Sequence, residues 1–412
     1  MFGPRYDSPG GGIDVEYPVN SKGSGSARGR QVSCRSSCSA GSLLNTRQAS
    51  ASWSLERGKE TWVVEIVDSA YGDQLSWQMI RRALGKTEIE LTPIGIGTWA
   101  IGGGDWSFGW GDQDEQEAIA GILKGVELGV NWIDTAAIYG DGASEALVGR
   151  ALRQIPPSDR PLVATKCGRI MQKDGTVKGC LKKESVVAEC EASLQRLGVE
   201  HIDLYQIHWP DPDEDIEEAW HAMVSLKEEG KIREIGVSNH KVEQLDRLQA
   251  IHPAASLQPP YSMLNREAEE SQLPYCGGKG VGVVCYSPMM KGLLTGAFSR
   301  ERAEALSEKD HRSRDPKFSG PQLELNLEVV ESIRPVAEGA GRPMAQLPLA
   351  WVLRRNEVTS AIVGVRKPSQ IEQTVGGGDW ILTKEELDVI ERALCRREEK
   401  LAQLGETSQG WV

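Results

Sequence analysis

The stretch Asn131-Trp-Ile-Asp-Thr-Ala-Ala-Ile-Tyr139-Gly-Asp-Gly-Ala-Ser144-Glu-Ala-Leu-Val-Gly-Arg150 decides the fold. It follows Val130 as a short apolar strand, 130–133, and delivers a carboxylate, Asp134, at the strand's end. A loop of small residues follows and carries one phenol, Tyr139. Gly140 and Gly142 then break the chain. Ser144 is read as the cap of a helix whose apolar face is Leu147, Val148, Ala151 and Leu152. Strand, loop and helix in that order make a βα unit. A carboxylate at a strand's end with a phenol soon after it is poor core material. It suits the mouth of a parallel barrel, where active sites are built from the loops after the strands. Taken alone, the stretch also fits a salt-bridged Asp and a surface Tyr.

Outward from this unit the same alternation repeats. Strand-like runs at 94–98, 130–134, 162–166, 203–208, 233–238, 255–258, 281–286 and 361–365 are separated by helix-like runs. The helical runs are 115–128, 144–154, 184–197, 215–229, 241–249 and 266–275. The first sets Ala118, Ile119, Ile122, Leu123 and Val126 on one face, with Gly129 as its stop. A long excursion, 289–323, precedes helical runs at 324–338 and 344–354, and 368–374 and 384–398 close the chain. Residues 86–93 are predicted to form a short hairpin. Pro335 and Pro348 are predicted to kink or end their helices. Eight strands alternating with helices over roughly 320 residues predict an α/β (β/α)8 TIM barrel spanning 79–412.

A doubly wound sheet is the structural rival. Gly95-Ile-Gly97-Thr-Trp-Ala100 matches its dinucleotide pattern, which has meaning only where a helix begins. Here Gly102-Gly-Gly-Asp-Trp106 follows and cannot begin one, so that reading is rejected.

Residues 1–78 differ from the rest. The segment 21–54 is rich in Ser, Gly and Arg, lacks acids and shows no periodicity. It is read as a low-complexity, disordered extension outside the fold. Cys34 and Cys38 have no second pair to complete a metal site, and no metal is expected. The net charge of −12 argues against nucleic acid or an acidic membrane surface as partner. No apolar run approaches the ~20 residues of a membrane span. The eight cysteines are scattered, a thiol usage that fits a reducing compartment, the cytoplasm.

Further strand ends carry polar chemistry. Lys166 ends one run, His208 the next, and Ser238 with Asn239 the one after. Successive strands delivering Asp, Lys, His and Ser-Asn to one face are hard to explain by packing. An ammonium beside a phenol favours the phenolate and so lowers the Tyr pKa. The expectation is that Lys166 tunes Tyr139 in this way for proton donation. His208 can orient a reacting oxygen.

These residues resemble the aldo-keto reductases, and closely the bacterial members with a long loop after strand seven. The matching pieces include Ile133-Asp134-Thr-Ala-x-x-Tyr139-Gly, Thr165-Lys166, Asp203-Leu-Tyr-x-x-His208-x-Pro and Gly236-Val-Ser-Asn239. Leu257-Gln258-Pro-Pro-Tyr-Ser, Tyr286-Ser-Pro-Met289 and Ile362-Val-Gly364-Val-Arg366 extend the match. The resemblance implies a catalytic tetrad of Asp134, Tyr139, Lys166 and His208. It implies reduction of an aldehyde or ketone to the alcohol with NADPH, NADH being the alternative, and a small-molecule carbonyl substrate. It places Ser238, Asn239 and Gln258 at the nicotinamide carboxamide and Tyr286 against the ring. Ser287, Met289, Gly292 and Leu293 fall along the pyrophosphate. Arg366 and Gln370 fall at the adenosine end, and Thr98, Trp99, Asp134 and Gly364 complete the cofactor set. Thr374 stands where many members carry Asn on the adenine. Trp99, Trp106, Phe108, Trp110 and Trp209, with Tyr139 and His208, are the expected substrate walls. Two other readings remain: a cofactor-binding regulatory subunit of the same fold with little turnover, and a barrel isomerase or aldolase using Lys166 as a Schiff base.

Overall fold

Eight parallel strands close into a barrel in the order Ile94–Gly97, Trp132–Asp134, Leu162–Cys167, Ile202–Ile207, Ile232–Ser238, Ser256–Gln258, Gly282–Cys285 and Val358–Gly364. The last pairs with the first, through Ala361 with Ile94. The computed structural model describes residues 80–103 and 106–405, together with the backbone of two strands, Ser50–Arg57 and Glu60–Val67. Those two strands pair antiparallel within a separate unit, Met1–Ser76. The reading of 1–78 as disordered did not anticipate this ladder, and otherwise falls outside the described residues.

The barrel follows from patterning. The strands are largely buried on both faces, Arg233 being an exposed exception, so most read as near-continuous apolar runs and not as an alternation. Inside, Leu84, Ile89, Leu91, Trp132, Ala164, Leu204, Val284 and Ile362 form one cluster. Trp132 lies across this interior and donates from Nε1 to Ser360 Oγ at 3.0 Å. A Cβ on Gly95 would come within 2.1 Å of its indole. The glycine that mimicked a dinucleotide motif is therefore there to admit Trp132. Outside, the amphipathic helices cover the strands. Glu115–Glu127 buries Ala118, Ile119 and Ile122, as its spacing predicts, and Asp114 caps it by accepting from Glu117 N.

Several boundaries differ from expectation. The hairpin pairs Arg82–Ala83 with Glu90–Leu91, and the predicted 86–93 supplies only its turn and second strand. Ser144 is not a cap. The helix Ala143–Leu152 is capped by Gly142 in the left-handed region at φ 89°, and Ser144 is buried. Its hydroxyl lies 2.8 Å from Thr98 Oγ1 and 3.0 Å from Thr135 Oγ1. Pro335 sits inside Gly320–Gly339 without ending it. Pro348 falls in the first turn of Leu347–Leu353, where a missing N–H leaves no bond unmade. The run 266–275 becomes the short turn Glu267–Glu269 followed by the helix Gln272–Lys279. A second hairpin, Arg169–Met171 with Val177–Gly179, was not foreseen and stands just past the strand that carries Lys166.

Candidate active site

The polar residues singled out in sequence are strand-end residues. Asp134, Ser238 and Gln258 are the last residues of their strands, and His208 and Tyr286 come one past theirs. Parallel strands put all these ends at one mouth. A cavity of about 780 Å³ opens there, within the range for small-molecule and cofactor sites.

At its centre is one ammonium. Lys166 Nζ donates to Asp134 Oδ1 at 2.8 Å, to Thr135 O at 2.8 Å and to Tyr139 Oη at 3.3 Å. The Lys166 side chain is fully buried and that of Asp134 is 4% exposed. Asp134 Oδ2 accepts from Gln258 Nε2 at 2.8 Å. Both carboxylate oxygens are thus satisfied, as a buried ion pair requires. Burial lowers the Lys166 pKa, and Asp134 works against that. Glu145, also buried, accepts from Thr165 Oγ1 and pairs with Arg196 behind the cluster.

Electrostatics corrects one expectation. Burial pushes the Tyr139 phenol well above its ordinary value, and the charge of Asp134 adds to this. The lowering expected from Lys166 does not dominate, because burial penalises the phenolate and Asp134, at closer range, offsets the ammonium. Tyr139 is therefore a phenol that keeps its proton. His208 is held well below the usual imidazole range, first by burial and then by the charges of Lys166 and Arg169. It is neutral, with Nδ1 buried and unpartnered among the described residues. Its ring centroid lies 5.7 Å from that of Tyr139.

Eight residues lie on the far side as expected for a cofactor: Ser238, Asn239, Tyr286, Ser287, Met289, Gly292, Gly364 and Gln370 all line the cavity, and Arg366 joins them. Asn239 Nδ2 donates to His208 O at 2.9 Å, and its Oδ1 accepts from Tyr286 Oη at 2.8 Å. Non-glycine residues with positive φ gather here, at Asn239 (61°), Ser287 (54°), Met290 (47°) and Lys291 (53°). Such strain clusters where backbone is shaped to a ligand. The lining cations Arg302, Arg366 and Lys367, with Lys291 and Arg312 paired to Asp315 and Asp310, give this half a positive side that suits a pyrophosphate-bearing dinucleotide. The residues present fit that group. Leu293 is fully buried in the core, and Thr98, also buried, donates its hydroxyl to Asp134 O. Neither lines the cavity.

The aromatic residues read in sequence as substrate walls open onto the cavity. Trp99, Trp106, Phe108, Trp110 and Trp209 all line it. What sequence reasoning missed is the lid they share. His311 N and Nδ1 both reach Gly109 O at 3.0 Å, and Trp110 bridges to Asp310. Arg312 is forked onto Asp310 and lies 4.7 Å from the Trp110 ring centroid. Arg366 donates to Gln113 Oε1 at 2.6 Å and to Trp110 O at 3.1 Å. No local periodicity in 289–323 signals these contacts. Arg169 and Val177, on the unforeseen hairpin, also line the cavity.

A closed parallel barrel carries a buried Asp-Lys-Tyr cluster at the cavity in its mouth. The Aldo/keto reductase family model matches residues 93–394, and the chain belongs to that family. It is an NAD(P)H-dependent oxidoreductase acting on carbonyl and alcohol groups. Aldo-keto reductase YhdN of Bacillus subtilis (strain 168) is 38% identical over 305 residues, covering 74% of this chain and 90% of its own. The NADH-specific methylglyoxal reductase of Escherichia coli (strain K12) is 34% identical over 328 residues, covering 75% and 98%. Among solved structures, the glycerol dehydrogenase AKR11B4 from Gluconobacter oxydans is 37% identical with a TM-score of 0.69, covering 77% of this chain and 95% of that one. Among the described residues no helix is long and apolar enough to cross a membrane.

Proposed function

We propose that the chain reduces an aldehyde or ketone to the alcohol with NADPH, Tyr139 giving the proton. A bound reduced nicotinamide supplies hydride to the carbonyl carbon. Negative charge then grows on the carbonyl oxygen, which needs a proton as it forms. Tyr139 Oη transfers that proton, the new O–H bond forming as the phenolic one breaks. Burial keeps the phenol protonated until then. Lys166 Nζ, already 3.3 Å from Oη, donates a charge-assisted hydrogen bond to the phenolate. Asp134 holds the ammonium in place. Neutral His208, with Nδ1 buried, offers an Nε2 proton to orient the carbonyl oxygen.

The single observation that carries this reading is the Lys166 ammonium bridging Asp134 and Tyr139 at the cavity floor. The same burial speaks against a Schiff-base role, because Lys166 is not a lining residue and its side chain has no exposed surface. NADPH is favoured by Arg366, since a 2′-phosphate can take its fork from neutral carbonyls by charge. The Escherichia coli relative, NADH-specific by name, makes a direct comparison of the cofactors necessary. The free cysteines Cys167, Cys180, Cys190, Cys276, Cys285 and Cys395 fit a cytoplasmic setting.

The test is a panel of aldehydes, ketones and sugars assayed by loss of reduced-cofactor absorbance, with NADPH and NADH in parallel. Carbonyl-dependent turnover, higher with NADPH, is the expected result. Tight cofactor binding without turnover on any carbonyl would favour the regulatory-subunit reading.

A further inference from the structure

We propose that Arg169 makes the substrate end of this cavity a site for carbonyl compounds that also carry a carboxylate. The inference rests on the carbonyl-reducing reading above and names its substrate class. Arg169 opens the short strand Arg169–Met171, immediately after the strand bearing Lys166. Around the barrel, that strand stands opposite Gly282–Cys285, whose following loop lines the cofactor half. Arg169 therefore sits with Val177, His208 and Trp209, on the side of the proton-transfer cluster. The lining cations Lys291, Arg302, Arg312, Arg366 and Lys367 follow the strands of the other half. Dinucleotide phosphates account for cations there; they do not account for Arg169.

The guanidinium is built to receive an anion. It has five N–H donors. Nη1 donates to Asp211 Oδ2 at 2.6 Å. Nε and Nη2 meet no acceptor among the described residues. The group lies 5.6 Å from the Trp209 ring centroid, which limits its tilt. The hairpin closes tightly on its anchor, since a Cβ on Gly179 would lie 2.2 Å from Asp211 O. The Arg169 side chain is 20% exposed while Asp211 is 58% exposed, so water screens the carboxylate more than the guanidinium. The one acid lining the cavity among the described residues is Asp134, and Lys166 and Gln258 already occupy it. A carboxylate on the substrate meets a free guanidinium edge and no competing lining acid. A dianionic phosphate fits less well, because Asp211 already supplies one negative charge. The aromatic walls Trp106, Phe108 and Trp209 suit a flat spacer between this anion and the reacting carbonyl.

The test compares 4-carboxybenzaldehyde with its neutral amide, 4-formylbenzamide, as substrates of the full chain at saturating NADPH. The expected kcat/KM ratio of acid to amide is about 10- to 100-fold, the range for hydrogen bonds to a charged group. Arg169→Gln should bring that ratio to one or below, and Arg169→Lys should retain part of it. Competitive inhibition by benzoate and by benzamide, read on the oxidised-cofactor complex, gives a second measure. Arg169→Gln should weaken benzoate and not benzamide. A ratio near one in the unaltered chain, or a preference that survives Arg169→Gln, overturns the proposal. Should Arg169→Gln fail to fold, the ratio in the unaltered chain decides alone. If neither aldehyde is reduced while other carbonyls of the panel are, the proposal is overturned; if no carbonyl is reduced, it is the carbonyl-reducing reading that fails. The benzoate measurement then still decides whether Arg169 binds carboxylate.

Discussion

The floor and the roof of the cavity are held by different physics. On the floor, Asp134, Lys166 and Gln258 belong to strands whose register is fixed by the barrel, and they are 3%, 1% and 2% exposed. Their bonds to one another are charge-assisted and dry. The roof is made by segments distant in sequence, with His311 reaching back 202 residues to Gly109 and Arg366 reaching 256 residues to Trp110. Alongside the buried Arg312–Asp310 ion pair, its long-range bonds run mostly from side chains to backbone carbonyls. A ligand can displace such contacts, but it cannot displace the buried cluster. The difference suits the rigid half to the proposed proton transfer and the exchangeable half to the proposed ligand selection.

Lys166→Met should break the floor most severely. It leaves Asp134 as a buried charge without its counter-ion, a loss of about 3–5 kcal/mol when one partner of such a pair is removed. Chemical denaturation of the two proteins measures it. A loss below about 1 kcal/mol, the scale of surface pairs, would mean that the floor is not the dry ion pair described.

Arg366→Ala tests the roof. It should weaken NADPH more than NADH by about 1.5–3 kcal/mol, the scale of a lost hydrogen bond to a charged group. Cofactor titrations by fluorescence quenching read this directly. Equal weakening of both cofactors would remove Arg366 from the 2′-phosphate and leave it as a latch on residues 110–113.

His311→Asn should have the smallest effect, visible only in acid. Burial pulls the His311 pKa down to about 4, with Lys291 assisting, against ~6.5 in an unfolded chain. A histidine with a depressed folded value contributes stability that is present above the unfolded value. That stability is lost as pH falls from ~6.5 towards 4. The variant lacks this contribution, so its stability should fall less steeply over that window. His208 and His240 are shifted in the same direction, so the slope should shrink and not vanish. Identical slopes in the two proteins would show that His311 is not buried in solution.

The same contrast explains what could be read before folding was known. Asp134, Lys166 and His208 announce themselves because each is a charged or titratable residue ending an apolar run. The barrel is legible because its strands are largely buried on both faces and its helices on one. Ser144 misled because a serine before an apolar face is the ordinary sign of a cap, whereas here three neighbouring hydroxyl and carbonyl oxygens draw it inward. Tyr139 misled in its electrostatics because a lysine near it in the chain's pattern says nothing about how deeply the phenol is buried beside an aspartate. The Arg169 hairpin is too short to leave an alternating pattern, and the lid is made of pairings between distant loops that no local window contains. Leu293 was placed by resemblance alone, and its side chain went to the core.

The most direct test of the account is Tyr139→Phe, which keeps the ring and removes only the hydroxyl. Asp134 is occupied by Lys166 and Gln258, and Lys166 lies behind the phenol, so the hydroxyl is the one proton source that both faces the cavity and is backed by an ammonium. With a carbonyl substrate at saturation, kcat should fall by at least ~10²-fold, the lower end of general acid catalysis. Cofactor affinity, read by fluorescence quenching, should change little. A Phe variant that reduces carbonyls at close to the parent rate would contradict the account and make His208 the leading proton donor.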